Sequence, residues 1–156
     1  PVEEWHLKDR EAMLAEIKVC VASYVAEKIK FGTTTTGVGG GPGSDFYQAI
    51  GYANAMVWKY GMGPSGFVGD YTLAPQLLSE EMKTRLNQDV DKILKECMAE
   101  VEALLRKEHA LFERFAHELL QKQELDYDEI EAIFMEYGKA NPRRSHLTQG
   151  GDSPAV

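Results

Sequence analysis

Thr33-Thr34-Thr35-Thr36-Gly37-Val38-Gly39-Gly40-Gly41-Pro42-Gly43-Ser44-Asp45 separates two runs of helical periodicity, and its reading as a connector sets the fold. The glycines carry no side chain to restrict φ, so the stretch bends sharply and is costly to order. It ends on a carboxylate at the mouth of a helix. Such an Asp serves a helix as a cap, or a ligand as an oxygen donor.

Upstream of the loop, Met13, Leu14, Ile17, Val21, Val25 and Ile29 recur at steps of three and four, which predicts a helix over 9–31. Gly32 is its natural stop. Downstream, the second helix is expected to start at Ser44 or Asp45. With Asp45 as N-cap, Gln48 falls at N3 and completes a capping box. Phe46, Ile50, Ala53, Val57 and Tyr60 are the expected inward face, and Gly61 the end. Gly61, Gly63, Pro64, Gly66 and Gly69 then break the periodicity. This region reads as a loop with a short strand at Phe67-Val68.

Ser79 caps the next helix, with Glu80 and Glu81 suited to its positive end. Its apolar stripe runs through Leu86, Val90, Ile93, Leu94, Cys97, Met98, Val101, Leu104 and Leu105. A fourth helix carries Leu111, Phe112, Phe115, Ala116, Leu119 and Leu120. Asp126 and Glu129 form a capping box for a fifth, bearing Ile130, Ile133, Phe134 and Tyr137. The fold class is therefore all-α: a helical hairpin, a long amphipathic helix and two shorter helices. One domain is expected over 1–138. Residues 139–156 are polar, rich in Gly, Ser and Pro and without periodicity, and read as a disordered tail.

The 156 residues suit one domain with a core of its own. The formal charge of -8 disfavours nucleic acid as a partner. No apolar run approaches the roughly 20 residues that span a bilayer, so the domain is expected to be soluble. Cys20 and Cys97 each fall on an apolar helix face and read as buried free thiols suited to a reducing compartment. The chain opens on Pro1 rather than Met, which reads as a piece of something longer.

Few groups offer chemistry. His117-Glu118-Leu119-Leu120-Gln121 starts like a zinc-protease helix, but that motif needs a second His four residues on, where Gln121 stands. With Leu119 and Leu120 on the apolar stripe, His117 and Glu118 are expected beside it, near solvent. Gly37 to Gly43 precedes a helix as a phosphate loop does, yet no Lys follows and Asp45 sets a negative charge where phosphate would lie. His6, His109 and His146 have no companion ligands at helical spacing. Asp45 is left as the single candidate, and by residue chemistry alone it is a helix cap.

Five segments in order change that. Ala26-Glu27-Lys28-Ile29-Lys30-Phe31-Gly32 with Thr35-Thr36-Gly37 resembles the "AAEE-x-x-FG … TTG" segment of FtsH-type proteases. Ser44-Asp45-Phe46-Tyr47-Gln48-Ala49 resembles that family's "DL-x-x-AT", and Met56-Val57-Trp58-Lys59-Tyr60-Gly61-Met62 its "MV-x-x-YGM". Asp89-Val90-Asp91-Lys92-Ile93-Leu94 is similar to "EV-x-x-IL". Leu119-Leu120-Gln121-Lys122-Gln123-Glu124-Leu125-Asp126 with Glu129-Ile130 resembles the "LL-x-x-ETLDG-EEI" ending. The resemblance covers roughly residues 7–137.

The resemblance implies the helical peptidase domain of membrane-anchored, ATP-driven zinc metalloproteases, whose subunits form six-membered rings that act on membrane or misfolded proteins. In that family two zinc ligands come from a His-Glu-x-x-His helix, and the third is the Asp of "DL-x-x-AT", here Asp45. Zinc would acidify a water and the motif Glu would take its proton. ATP would belong to a separate AAA module, and the membrane would be reached through an anchor outside this chain. No His-Glu-x-x-His occurs in these residues, so the chain alone is expected to bind no zinc tightly and to hydrolyse nothing. The family's Gly-Gly-Arg is Ala22-Ser23-Tyr24 here, and Val38 to Ser44 makes a longer loop than is usual. These departures suit a divergent member in an organelle membrane, plastid or mitochondrial, with the bacterial inner membrane as the alternative. Three functions follow: part of a working protease, a proteolytically inactive relative serving hexamer assembly and partner binding, or a stand-alone helical interaction module.

Overall fold

The computed structural model describes residues 7–39, 41–69 and 77–139. Its helices are α1 (Arg10–Phe31), α2 (Asp45–Asn54), α3 (Glu80–Lys107), α4 (His109–Lys122) and α5 (Tyr127–Glu136). A 3-10 turn, Thr36–Val38, lies in the connector, and a π-helical turn, Ala55–Lys59, prolongs α2. The described residues hold no strand, so the chain is all-α and the strand expected at Phe67-Val68 is not formed. That segment is instead fastened irregularly to its neighbours, as described below.

The chain divides into two compact units, 1–104 and 105–156. In the first, α1 and α2 pair as the expected hairpin. Asp9 caps α1 by accepting from Ala12 N at 2.8 Å, and Gly32 ends it at φ 68, its N–H donating to Lys28 O at 3.0 Å. Met13, Ile17, Cys20, Val21 and Val25 of α1 are buried. Ile17, Met56, Leu86 and Ile93 are the largest enclosed side chains, each contributing roughly 1.5–3 kcal/mol. On α2 and the turn after it Ala49, Ala53, Met56 and Val57 are buried; of the face read from sequence Ala53 and Val57 are inside and Phe46 half-buried, while Ile50 and Tyr60 face outward. Met56 and Val57 follow Ala49 and Ala53 at ordinary helical steps, and the residue added by the π turn at Ala55–Lys59 rotates Tyr60 off that face.

The loop after α2 is tied down by one carboxylate. Asp89 of α3 is buried and accepts from Ser65 N at 3.2 Å and from the Ser65 hydroxyl. Gly69 donates to Trp58 O at 3.1 Å, and any side chain there would meet Trp58 Cε3 at 2.5 Å. Backbone packed this closely, and satisfied by a buried carboxylate and a helix-end carbonyl, has no need of a strand partner. Ser79 caps α3 as expected, accepting from Met82 N at 3.1 Å.

In the second unit, α4 and α5 meet through Phe115 and Phe134, ring centroids 5.3 Å apart, with Leu111 and Ile133 buried. The capping box at Asp126 is formed: Glu129 N donates to Asp126 Oδ1 at 2.8 Å, and Asp126 N to Glu129 Oε2 at 3.0 Å. Leu119 and Leu120, placed by sequence on the apolar stripe, are exposed. The residues expected in the tail, 140–156, lie outside those described.

Candidate functional site

Asp45 is not the N-cap of α2. Ser44 is, its hydroxyl accepting from Tyr47 N at 3.3 Å. Gln48 does not close a capping box; its Nε2 donates to Gly43 O at 3.1 Å. Ser44 and Asp45 are both capable caps, and the residue one step earlier takes the role. Asp45 thereby becomes the first residue inside the helix, where a negative charge suits the dipole and the side chain has no duty to its own backbone. Its carboxylate turns to α1, and Oδ2 accepts from Ser23 Oγ at 2.8 Å.

The neighbouring residues repeat the contact. Tyr24, next to Ser23, packs its ring against Phe46, next to Asp45, tilted by 55° with ring centroids 4.8 Å apart. The connector before Asp45 is held at several points although it is long. Thr35 N donates to Glu27 Oε2 at 2.9 Å and the Thr35 hydroxyl reaches the same carboxylate. Gly39 lies so close to Phe46 that a Cβ would stand 3.2 Å from Cδ2, and Ser44 N donates to Gly41 O at 3.1 Å. Asp45 is thus an exposed carboxylate on a fixed base.

Burial pushes the Cys20 thiol up, and the charges of Asp45 and Glu16 add to it; burial does the same for Cys97. Both are buried and free, as the sequence suggested. Thiols so protonated are poor metal ligands and nucleophiles. His117 is exposed and lies 3.1 Å from the Gln121 amide through Nε2, while Glu118 pairs with Arg114 at 2.8 Å. That pairing holds the Glu118 carboxyl below the usual range, and it leaves the carboxylate committed to an ion pair. His6 and His146 lie outside the described residues.

Among the described residues no three His, Cys, Asp or Glu side chains could together hold a metal ion. Tested against zinc, Asp45 fits as one oxygen donor and not as a site, since such a site takes three protein ligands. A separate cleft of about 540 Å³, lined by Leu7, Lys8, Met13, Tyr52, Ala55, Tyr60 and Met62, does not include Asp45. Sequence reasoning missed Ser23 as its partner and Asp89 as the loop anchor. A signal for the second was available, because Asp89 sits on the same helical face as Leu86 and Ile93. No helix of the described residues is long and apolar enough to cross a membrane.

Comparison with known proteins gives this arrangement a lineage. Residues 1–133 match peptidase family M41. The chain is similar to ATP-dependent zinc metalloprotease FtsH 4 of Sorangium cellulosum, 31% identical over 94% of this chain and 24% of that protein. It is likewise similar to ATP-dependent zinc metalloprotease FtsH of Syntrophobacter fumaroxidans, 27% identical over 97% of this chain and 25% of the relative. For the protein of that name from Borreliella burgdorferi the figures are 31%, 80% and 21%. The chain therefore spans about a quarter of the length of these curated relatives. A match that takes in the hairpin, α3 and most of α5, and relatives alike along nearly the whole sequence, make this chain a member of peptidase family M41, corresponding to the C-terminal part of an FtsH-type peptidase domain.

Proposed function

We propose that this chain works as the C-terminal part of the peptidase domain of an ATP-dependent zinc protease, and that Asp45 gives one oxygen ligand to a zinc ion whose other ligands lie outside these residues. The observation that carries the reading is the carboxylate itself. Asp45 is exposed, released from capping by Ser44 and steadied from α1. In the family it stands where the resemblance puts the third ligand. Protein substrates, ATP bound by a separate module, a ring of six like subunits and an anchor in an organelle membrane, or alternatively the bacterial inner membrane, belong to the same reading. The names of the relatives support the zinc and ATP dependence, and the resemblance supports the rest.

The test is made in the full-length polypeptide that carries this chain, with zinc content and ATP-dependent degradation of an unfolded protein as readouts. Asp45→Ala is expected to lower bound zinc and to cut degradation by about 100-fold or more, the scale of losing a ligand or its close support. A second reading, a proteolytically inactive relative serving ring assembly and partner binding, is favoured by the altered segment at Ala22-Ser23-Tyr24 and the longer loop from Val38 to Ser44. A full-length protein free of zinc, unable to degrade and unaffected by Asp45→Ala would replace the first reading with the second.

A further inference from the structure

We propose that Ser23 is a positioning residue for Asp45, fixing the rotamer in which the carboxylate is presented. The inference rests on the reading of Asp45 as a metal-directed carboxylate. An exposed Asp in the first turn of a helix can populate several staggered χ1 wells. Here three contacts remove that freedom. Ser44 takes the cap, so Asp45 is not drawn back onto Tyr47 N. The Tyr24–Phe46 ring pair sets the register of α2 on α1 one residue further along. Ser23 then donates to Oδ2 at 2.8 Å from the middle of α1, a rigid element.

A hydroxyl donated to a charged oxygen makes one of the stronger hydrogen bonds. It engages Oδ2 and, among the described residues, leaves Oδ1 open as an oxygen ligand, the arrangement by which a neighbouring group orients a ligating carboxylate. Ser23 lies in the segment where the sequence departs from the family's Gly-Gly-Arg, and a glycine there would bring no hydroxyl. The support for Asp45 thus comes from α1, apart from the long loop that precedes it.

The first readout is the χ1 of Asp45 in this chain, from three-bond couplings between its carboxylate carbon and backbone. The wild type is expected to show one rotamer, Ser23→Ala an average of several, and Ser23→Thr, which restores the hydroxyl, one again. Ser23→Ala with an unchanged rotamer overturns the proposal. Alanine is the best helix former, so this variant keeps α1 intact. The second readout is zinc retention by the full-length protein against a chelator. Ser23→Ala is expected to weaken it about 10- to 100-fold, Ser23→Thr to recover it, and Asp45→Ala to lose at least as much. If Asp45→Ala holds zinc as the wild type does, the ligand reading falls, whereas the couplings alone still decide whether Ser23 sets the rotamer.

Discussion

The starts of α2 and α5 carry the same local signal and use it differently. Each has an Asp followed three residues later by Gln or Glu: Asp45 with Gln48, Asp126 with Glu129. At α5 the signal is spent on the helix, and both side chains satisfy backbone N–H groups that the first turn leaves open. At α2 it is not. Ser44 takes the cap, Gln48 turns to Gly43, and the carboxylate is free to reach another helix. The residue before the Asp makes the difference. Leu125 cannot cap, so Asp126 must; Ser44 can, so Asp45 is spared. A carboxylate that caps its own helix is held against its own backbone, while one at the next position can turn to a partner or a ligand.

The largest effect on stability is expected where the carboxylate is fully used. Asp126→Ala removes the acceptor at 2.8 Å from the Glu129 backbone N–H, so it should cost about 1–2 kcal/mol. Chemical denaturation followed at α5 would measure it. Ser44→Ala should cost less, about 0.5–1 kcal/mol, because its bond to Tyr47 N is long at 3.3 Å and has no reciprocal partner. Ser44→Ala also leaves Asp45 as the available cap. The Ser23 contact should then loosen, visible as a shift of the Ser23 and Asp45 resonances. Equal costs at the two sites, with Ser23 unmoved, would dissolve the contrast.

Much of this fold is legible in the sequence because its signals are local. The extents of α1, α3 and α5, the stop at Gly32, the cap at Ser79 and the box at Asp126 are each set by a few neighbouring residues. What is not legible depends on residues far apart in sequence. Tyr60 is carried off the inward face by a π bulge, whose added residue no periodicity count anticipates. The loop after α2 is fixed by Asp89, which lies 24 residues beyond Ser65. The state of Asp45 hangs on Ser23, 22 residues before it. Of the candidate site, then, the residue was readable from a motif, and its environment was not.

The smallest effect is the one that separates the two helix starts by charge. Glu129 titrates, and Gln48 in the matching place does not. The Lys122 ammonium, hydrogen-bonded at 2.5 Å, holds the Glu129 carboxyl below its ordinary value of 4.5, and the Asp126 N–H adds to this. A carboxyl depressed in the folded state contributes stability that is present above its ordinary value and lost as pH falls through the folded one. Lys122 is raised above 10.5 by the same contact, so its share is complete below that value and fades only in strong alkali. Taking the protein from pH 6 to pH 3 should therefore loosen the start of α5. Carbon chemical shifts of residues 127–131 would report the change. The groups are exposed, so the amplitude should be modest and should shrink further in high salt. Glu129→Gln keeps a capping side chain but no titrating one, and thus makes α5 resemble α2. If it flattens the acid dependence of α5, the charge of the box accounts for that dependence. If the dependence survives in the variant, it belongs to another pair in the unit, such as Arg114 with Glu118, whose carboxyl is lowered in the same way.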